Sequence, residues 1–371
     1  MSKIDTLTRP GIQNIPPYIP GRTSESVKEK YHLDRVLKLA SNENQYGTAP
    51  MATAAIREAV ASVNIYPDPS CIGLRKKIGT LFGFDDSGDN VIISAGASGV
   101  LALLGEIFIC EGDEYVTCEP TFSALNSAVK RHGGKVIAVP VTEDQVFDLD
   151  AMAAQVTDKT KMVYICNPNN PTGTAVDSAK LREFIHKMPD HVITVVDEAY
   201  IEFADDPDVE SMVSEIREGL NLVVIRTFSK VYGLAGERVG YTFVNKELHG
   251  VMQKATSVFV VGRTSLAGAM AALDDRAFIE STVKNIAAGR AYVTGELEAL
   301  GFKVWPSKAN FVYTDSHLDT GILAQELEKK GLIIRGNFAY SRITIGTPEQ
   351  NREMIEIIKE VLAEGNVPAA G

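Results

Sequence analysis

Between about residues 50 and 290, apolar runs alternate with amphipathic segments along the chain. The apolar runs are continuous and rich in β-branched residues, as in NVIIS, KMVYIC and HVITVVD, which is typical of parallel strands buried on both faces. The segments between them, such as MATAAIREAVASV and SAKLREFIHKM, have the periodicity of amphipathic helices. This order predicts an α/β fold in which a mostly parallel sheet lies between helices.

The pattern changes at about residue 290, where amphipathic helices alternate with short strands such as NFVYTD and SRITIG. This change predicts a small α+β domain, and a chain of 371 residues is long enough for two domains. The first residues are rich in proline and glycine and lead into a short strand. We therefore expect an N-terminal arm and part of the small domain over 1–45, a large domain over 46–260, and a connecting helix and the C-terminal small domain over 261–371.

Composition narrows the class of protein. The chain is 45% hydrophobic and 23% charged, which is typical of a globular protein, and its net charge of −11 argues against non-specific nucleic-acid binding. No apolar run is long enough to span a membrane, and no signal peptide is evident. The four cysteines form no C-x-x-C pair and the histidines show no metal-ligand spacing. We therefore expect buried free thiols, a cytoplasmic location and no metal.

Polar residues follow several of the predicted strands. Ligands of open α/β sheets bind at the carboxyl ends of the strands, where the sequence places Asn167, Asp197, Tyr200 and Lys230. A carboxylate that directly follows the apolar run ITVV is costly to bury unless it is paired. Its partner is either Lys230, in a buried ion pair, or the ring nitrogen of a cofactor that the lysine carries. The residues alone leave both alternatives open.

Six motifs in this order resemble one family of enzymes. They are LASNENQYG, YPDPSCIGLR, NPNNPTG, DEAYIEF, SKVYGLAGERVGY and RITIGT, and they resemble the fold-type I pyridoxal-phosphate aminotransferases, in the branch of histidinol-phosphate and aromatic aminotransferases. The resemblance runs from about Tyr18 to about Asn351. It implies a large pyridoxal-phosphate-transferase domain, pyridoxal 5′-phosphate as the cofactor, and a homodimer with shared active sites.

The resemblance assigns roles around the cofactor ring. Lys230 would hold the cofactor and then move a proton, for which burial and nearby positive charge must lower its pKa. Asp197 would keep the ring nitrogen protonated, and Tyr200 and Asn167 would hydrogen-bond the phenolic oxygen. Phe122 would stack on the ring, with plain core packing as the alternative.

The cofactor phosphate would lie at the N-terminus of a helix that starts near Ala97, where backbone N–H groups and the helix dipole favour an anion. Ser98, Thr227, Ser229 and Arg238 would complete this cradle, with the arginine as a bidentate clamp. The glycines on both sides of Arg238 would let the backbone approach the cofactor phosphate closely.

Further residues are assigned to the partner subunit and to the substrate. Tyr66 resembles a tyrosine that reaches the phosphate in the neighbouring subunit, although it is equally interpreted as a turn aromatic before a proline. Arg342 and Arg335 resemble a pair that binds the substrate anion, with an exposed strand charge as the alternative for Arg335. Tyr18 and Asn42 are also assigned to the substrate.

The chain departs from the histidinol-phosphate branch in three places. The turn SAGASGV at 94–100 lacks the amide and acidic pair that is usual there, and the segment 336–341 is short, as in aromatic aminotransferases. Arg263 stands in a segment that usually reads Pro-Phe-Asn-Val, and it is either a substrate clamp or an ion-pair partner. These departures concern specificity and leave the cofactor motifs intact.

The sequence therefore predicts a transaminase that moves an amino group between histidinol phosphate, or an aromatic amino acid, and 2-oxoglutarate or glutamate. An aromatic, phenylalanine-type aminotransferase is the first alternative. A decarboxylase of the threonine-phosphate type is a second, because it would use the same lysine, aspartate and arginine. A ligand sensor is disfavoured, since the short N-terminal segment shows no helix-turn-helix pattern.

Overall fold

The computed structural model describes residue 4, residues 7–13, residue 15 and residues 21–370. The predicted substrate residue Tyr18 lies outside the described residues. Between residues 91 and 227, α-helices or 3₁₀ helices separate successive strands, which agrees with the alternation that the hydrophobic pattern predicts.

The strands are short and are numbered here in chain order: β1 Leu37–Lys38, β2 Val91–Ser94, β3 Glu114–Glu119, β4 Lys135–Pro140, β5 Thr160–Cys166, β6 Ile193–Asp197, β7 Leu222–Thr227, β8 Gly240–Val244, β9 Lys303–Val304, β10 Phe311–Asp315, β11 Leu332–Ile333 and β12 Ser341–Thr344.

The α-helices of the described residues are α1 Pro10–Gln13, α2 Ser24–Tyr31, α3 Pro50–Ala59, α4 Ile72–Leu81, α5 Gly96–Phe108, α6 Ala124–Arg131, α7 Leu149–Ala153, α8 Ser178–Lys187, α9 Lys246–Met252, α10 Arg263–Ala272, α11 Arg276–Ala299, α12 Thr320–Lys329 and α13 Pro348–Glu364. Short 3₁₀ helices span Val60–Ser62, Ile201–Phe203, Met212–Glu218 and Ala235–Glu237.

A seven-stranded sheet forms the centre of the molecule in the order β2-β8-β7-β6-β5-β3-β4. Strands β3 to β7 pair in parallel, whereas β8 is antiparallel to both of its neighbours. The inner strands β5, β6 and β7 are almost wholly buried, as continuous apolar runs require, while the edge strand β4 is partly exposed. The predicted α/β class with a mostly parallel sheet is confirmed.

Strand β8 is the part of this sheet that the sequence did not predict. Its residues follow the glycine-rich segment around Arg238 after a turn too short for a helical crossover, so the chain can only return antiparallel. Thr227 at the end of β7 pairs with Gly240 at the start of β8, and Ser94 at the end of β2 also pairs with Gly240. This reversal brings the Arg238 loop to the edge where the parallel strands end.

The C-terminal part contains a three-stranded antiparallel sheet in the order β12-β10-β9. The short strand β1 pairs in parallel with β11, which ties the N-terminal segment to this part of the molecule. Helix α11 is longer than its sequence pattern indicated and precedes β9. The apolar core is continuous from Leu37 to Val361, so both sheets share one hydrophobic cluster.

The cysteines only partly match the expectation of buried thiols. Cys71, Cys118 and Cys166 are free and buried, whereas Cys110 is free but exposed. Cys110 lies in the turn after α5, outside the sheet, where nothing covers it. Within the described part of the chain, no helix is long and apolar enough to cross a membrane.

Candidate active site

A cavity of about 260 Å³ lies at the edge of the sheet where the parallel strands end. It is lined by the ends of β5, β6 and β7 and the loops that follow them, by the first turn of α5, by the segments after β1 and β3, and by the hairpin that joins β11 to β12. Most of the residues predicted from the sequence line it: Asn42, Ala97, Ser98, Phe122, Asp197, Tyr200, Thr227, Ser229, Lys230, Arg238, Arg335 and Arg342.

Lys230 lines this cavity and forms no ion pair with a carboxylate of the described residues. Its Nζ donates to the backbone carbonyl oxygens of Ser41 at 3.4 Å and Asn42 at 3.3 Å. Burial, together with the positive charge of Arg342, lowers the pKa of Lys230 to about 8. A substantial neutral fraction near neutral pH makes this amine a nucleophile and a base.

Asp197 ends strand β6 and is buried. Its Oδ2 accepts from the Tyr164 hydroxyl at 2.9 Å, and its Oδ1 accepts from the Ala199 N–H at 3.1 Å. Burial raises the pKa of Asp197 to about 6, despite these two hydrogen bonds. Asp197 and Lys230 therefore do not form the buried ion pair that was one alternative for these residues, and the carboxylate faces the cavity with only neutral partners.

A buried ion-pair cluster holds the segments that carry these two residues. Arg226 Nε donates to Glu198 Oε2 at 2.8 Å, and its Nη1 donates to Glu202 Oε1 at 3.0 Å. Glu198 follows Asp197 in the chain, and Arg226 lies four residues before Lys230. Because a buried pair tolerates only one geometry, it fixes the end of β6 relative to the end of β7.

A cradle for an anion lies at the N-terminus of α5. Ala97 and Ser98 of the first helical turn line the cavity, and Arg238 faces them from the loop before β8. Arg238 has a φ of 55° in the left-handed region, and its Nη1 donates to the Ser229 hydroxyl at 3.3 Å and to the Ala235 carbonyl at 2.9 Å. Exposed helical N–H groups, two hydroxyls and a guanidinium converge there, as phosphate binding requires.

Helix α5 and the loop that carries Arg238 approach each other closely, and this contact needs two glycines. A Cβ at Gly240 would lie 2.5 Å from the Gly96 carbonyl carbon and 2.7 Å from the Ala97 nitrogen. Gly96 has a φ of 73°, and a Cβ on it would collide with the Arg238 guanidinium. Glycine therefore lets helix α5 and the arginine loop meet.

We expect Gly96→Ala to weaken cofactor binding by about 10- to 100-fold, because the new methyl group strains the backbone and displaces the Arg238 guanidinium, which makes charge-assisted hydrogen bonds of roughly 1.5–3 kcal/mol. Fluorescence titration of the cofactor-free protein with pyridoxal phosphate measures this. Gly236→Ala is the matched control, because a Cβ at Gly236 meets no atom within 4 Å. Equal affinities for the two variants would contradict the assignment of the cradle.

Tyr200 lies beside Lys230, and its hydroxyl oxygen accepts a hydrogen bond from Asn42 Nδ2 at 3.0 Å. Burial raises the pKa of Tyr200 to about 12. Asn167, predicted to act with Tyr200, does not line the cavity: its Oδ1 accepts from the Val176 N–H at 2.8 Å. Asn170 lines the cavity instead. The loop NPNNPTG thus places Asn170 at the cavity and turns Asn167 toward the backbone of Val176.

Arg335 and Arg342 form the second cationic part of the cavity. They lie opposite each other in a tight hairpin, where the Arg335 N–H donates to the Arg342 carbonyl at 3.1 Å and the reverse bond is 2.9 Å. Opposed residues of such a pair project to the same face. The Arg342 guanidinium donates to Asn170 Oδ1 and to the Ala40 carbonyl, while its buried Nε has no hydrogen-bond partner among the described residues.

Tyr66 does not line the cavity. Its side chain is 76% exposed and stacks on Phe259 with ring centroids 4.5 Å apart. Arg263 is neither a clamp in this cavity nor an ion-pair partner: its guanidinium donates to the carbonyls of Ile65 at 3.2 Å and Tyr66 at 2.9 Å. Arg263 therefore supports the backbone that presents Tyr66.

Sequence reasoning missed Tyr164 and Asn170. Tyr164 stands inside the apolar run of β5 and looks like a core aromatic, but it donates to Asp197. The signal for Tyr164 was its spacing, since it lies two residues before the end of β5, on the strand next to β6. Within the described residues, no group of three or more histidine, cysteine, aspartate or glutamate side chains is arranged to hold a metal ion.

Fold and cavity together define a class of protein, the fold-type I pyridoxal-phosphate-dependent aminotransferases. The chain belongs to the family described as aminotransferase class I and II, which matches residues 34–358. This confirms the family and the enzyme class predicted from the motifs.

Individual relatives agree with the family. The chain is 38% identical over 361 residues to the histidinol-phosphate aminotransferase of Moorella thermoacetica, covering 96% of this chain and 93% of that protein. It is also 38% identical to the Halalkalibacterium halodurans protein of the same name, with 96% and 97% covered. The crystal structure of histidinol-phosphate aminotransferase from Sinorhizobium meliloti in complex with pyridoxal-5′-phosphate matches with a TM-score of 0.88 at 27% identity, with 96% and 97% covered.

Proposed function

We propose that the protein is a histidinol-phosphate aminotransferase that binds pyridoxal 5′-phosphate in this cavity and uses glutamate and 2-oxoglutarate as the second substrate pair. The observation that carries the proposal is the presence of two cationic sites in the cavity that contains Lys230. Arg238 and the α5 N-terminus form one, and the Arg335–Arg342 pair forms the other. Two sites suit two anions, the cofactor phosphate and an anionic group of the substrate.

The described residues fit the cofactor. Asp197 is a buried carboxylate without a cationic partner, so a protonated ring nitrogen would satisfy it. Tyr200 and Asn170 line the same cavity and are assigned to the ring oxygen, while Phe122 is assigned to the ring face. Ala97, Ser98, Ser229 and Arg238 are assigned to the phosphate, with Thr227 beside them.

Bound pyridoxal phosphate supplies an electron sink and carries the amino group between donor and acceptor. Lys230 would hold the cofactor through its amino group, and its neutral amine would act as the base that moves the proton of the substrate Cα. Asp197 would stabilise positive charge on the ring nitrogen, while Tyr200 would donate a hydrogen bond to the ring oxygen. The arginine pair positions the donor, which makes proton transfer effectively unimolecular.

The substrate assignment rests on the arginine pair together with the named relatives. Arg342 has a buried, unpartnered Nε, and burial lowers its pKa to about 10, so it gains strongly from a bound anion. Arg335 lies directly across the hairpin from it. The first turn of α5 contains no acidic residue, so no carboxylate of that turn opposes the cofactor phosphate assigned to it.

An aromatic aminotransferase is the second candidate, because aromatic rings surround the same arginine. The Arg342 guanidinium lies 5.7 Å from the centre of the Phe338 ring, and Trp305 packs on Tyr340 at 4.6 Å. The hairpin that carries Phe338 and Tyr340 is also short, as predicted. A carboxylate next to an aromatic side chain would fit this combination.

A half-reaction screen distinguishes the candidates. Holoenzyme is mixed with one amino donor at a time, namely histidinol phosphate, glutamate, phenylalanine, tyrosine, aspartate or threonine phosphate, and the change in cofactor absorbance is followed. We expect fast changes with histidinol phosphate and glutamate. A fast change with phenylalanine or tyrosine and none with histidinol phosphate would reject the proposal in favour of the aromatic enzyme. Carbon dioxide release from threonine phosphate without a keto acid would indicate the decarboxylase.

We also propose that the protein is a homodimer with shared active sites. For its domains we propose an N-terminal arm over 1–45, a large domain over 46–260, and a connecting helix with the small domain over 261–371. Tyr66 and its neighbours form an apolar surface that includes Val63, Ile65 and Val258, each more than half exposed in the single chain. An apolar surface of this kind is typical of an interface. Tyr66 would then reach the cofactor phosphate of the partner subunit. Light scattering of the purified protein tests this, and a monomeric mass would reject it.

A further inference from the structure

Asn42 lies in the segment between β1 and α3 and is only 1% exposed. Its φ of 56° places it in the left-handed region, which asparagine tolerates better than most residues. The segment follows β1, and the Asn42 carbonyl accepts from Asn310 Nδ2 at 3.1 Å. Asn42 is therefore held firmly between the C-terminal part and the cavity.

Hydrogen bonding fixes the orientation of the Asn42 amide. Thr344 Oγ1 accepts from the Asn42 backbone N–H at 3.0 Å and donates to Asn42 Oδ1 at 3.0 Å. Thr344 is fully buried, so its hydroxyl hydrogen needs an acceptor, and Oδ1 is the acceptor present. The reverse orientation would leave this hydrogen unpaired, because Nδ2 cannot accept. The amide nitrogen must therefore face Tyr200.

This orientation determines where the Tyr200 hydrogen points. Asn42 Nδ2 donates to the Tyr200 hydroxyl oxygen at 3.0 Å, and an NH₂ group offers no acceptor in return. The single hydrogen of Tyr200 must then point away from Asn42. Tyr200 lines the cavity beside Lys230, so the cavity is the side left to that hydrogen.

We propose that Asn42 is a positioning residue that directs the Tyr200 hydroxyl hydrogen into the cavity, toward the oxygen anion of the bound cofactor. The sequence assigned Asn42 to the substrate, whereas the geometry gives its amide to Tyr200 and Thr344. The inference rests on the proposed function, in which Tyr200 donates to the cofactor. A donor fixed in advance costs no reorganisation when negative charge develops.

The decisive variant is Asn42→Asp, measured in the holoenzyme. Aspartate has nearly the same shape and also tolerates the left-handed region, but its carboxylate accepts rather than donates, so it draws the Tyr200 hydrogen away from the cavity. The readout is the pH midpoint of the visible absorbance of the bound cofactor. Tyr200→Phe, which removes the donor outright, is the reference. Asn42→Ala removes the amide donor without adding a charge.

We expect Asn42→Asp and Tyr200→Phe to shift the midpoint upward, because an oxygen anion without its donor holds the nearby proton more tightly. Asn42→Ala should shift it less in the same direction. In the Tyr200→Phe background, most of the Asn42→Asp shift should disappear, since the two residues act through one hydrogen bond. The cofactor dissociation constant of Asn42→Asp, measured by fluorescence titration, should rise about 10-fold, a typical loss for one hydrogen bond to a charged group.

Asn90→Asp is the matched control. Asn90 is also buried, and its Nδ2 donates to the Val244 carbonyl at 2.9 Å, but it precedes β2 at the opposite end of the sheet. The Asn90→Asp variant should change the stability of the protein and leave the pH midpoint of the cofactor absorbance unchanged. The inference is overturned if Tyr200→Phe shifts the midpoint while Asn42→Asp and Asn42→Ala do not, or if the Asn42→Asp shift persists fully in the Tyr200→Phe background. If Tyr200→Phe itself has no effect, the role of Tyr200 in the proposed function fails as well.

Discussion

Replacing Lys230 with alanine should lower turnover by at least about 10³-fold and remove the absorbance of the lysine-bound cofactor. Loss of a positioned acid–base group typically costs 10²–10⁴-fold, and this lysine also holds the cofactor. Its pKa of about 8 follows from burial and the nearby Arg342, a combination that does not occur at an exposed lysine. Steady-state rates and absorbance spectra of the purified variant measure both effects.

Lys246→Ala is the control for this substitution. Lys246 is exposed and pairs with Asp85 at 2.9 Å on the surface, so we expect its loss to leave the rate and the spectrum unchanged. Circular dichroism should show that both variants are folded. Normal turnover in Lys230→Ala would refute the role given to Lys230 and, with it, the proposed function.

Replacing Asp197 with asparagine should lower turnover by about 10²–10³-fold. The amide has the shape of the carboxylate but not its charge, and a charge pair near 4 Å at an effective dielectric constant of 20 is worth roughly 4 kcal/mol. The neutral partners of Asp197, Tyr164 and Ala199, cannot replace that charge. Single-turnover rates with saturating cofactor measure the effect, and Asp177→Asn, at the N-cap of α8, is the control.

The same variant, which should lower turnover, should raise the stability of the protein when no cofactor is bound. Burial raises the pKa of Asp197 from 3.8 to about 6, so the folded protein binds this proton more tightly than the unfolded chain. Its contribution to stability is therefore lost as the pH rises from about 4 to about 6. Denaturant unfolding of cofactor-free protein should show Asp197→Asn gaining up to roughly 3 kcal/mol over the wild type across that window. A constant difference would mean that Asp197 is not buried as a lone charge.

The sequence predicted those strands whose residues are buried on both faces. Continuous apolar runs identify β5, β6 and β7 because strands covered on both faces are mostly apolar, whichever strands are their neighbours. Strand β8 escaped prediction because it follows directly on the glycine-rich loop, and only its pairing with β2 and β7 makes it a strand.

The residues of the site also divide into those that the sequence predicted and those that it did not. Lys230, Asp197 and Arg238 could be predicted because each stands in a motif with fixed spacing from the end of a strand. Asn167 and Asn170 could not be separated, because both belong to NPNNPTG and only the path of the loop decides which one faces the cavity. Arg335 and Arg342 were predicted as a pair, but their direct opposition depends on the hairpin.

By itself, the sequence determined the α/β class, the aminotransferase family and the lysine, aspartate and arginine at the strand ends, because these follow from local patterns along the chain. The tertiary structure alone decided that Asp197 has no cationic partner, that Tyr164 donates to it, and that Asn42 contacts Tyr200 158 residues away. Hydrogen bonds between distant segments depend on which strands pair and on how side chains are buried. No local pattern along the chain encodes the pairing of distant strands or the burial of these side chains.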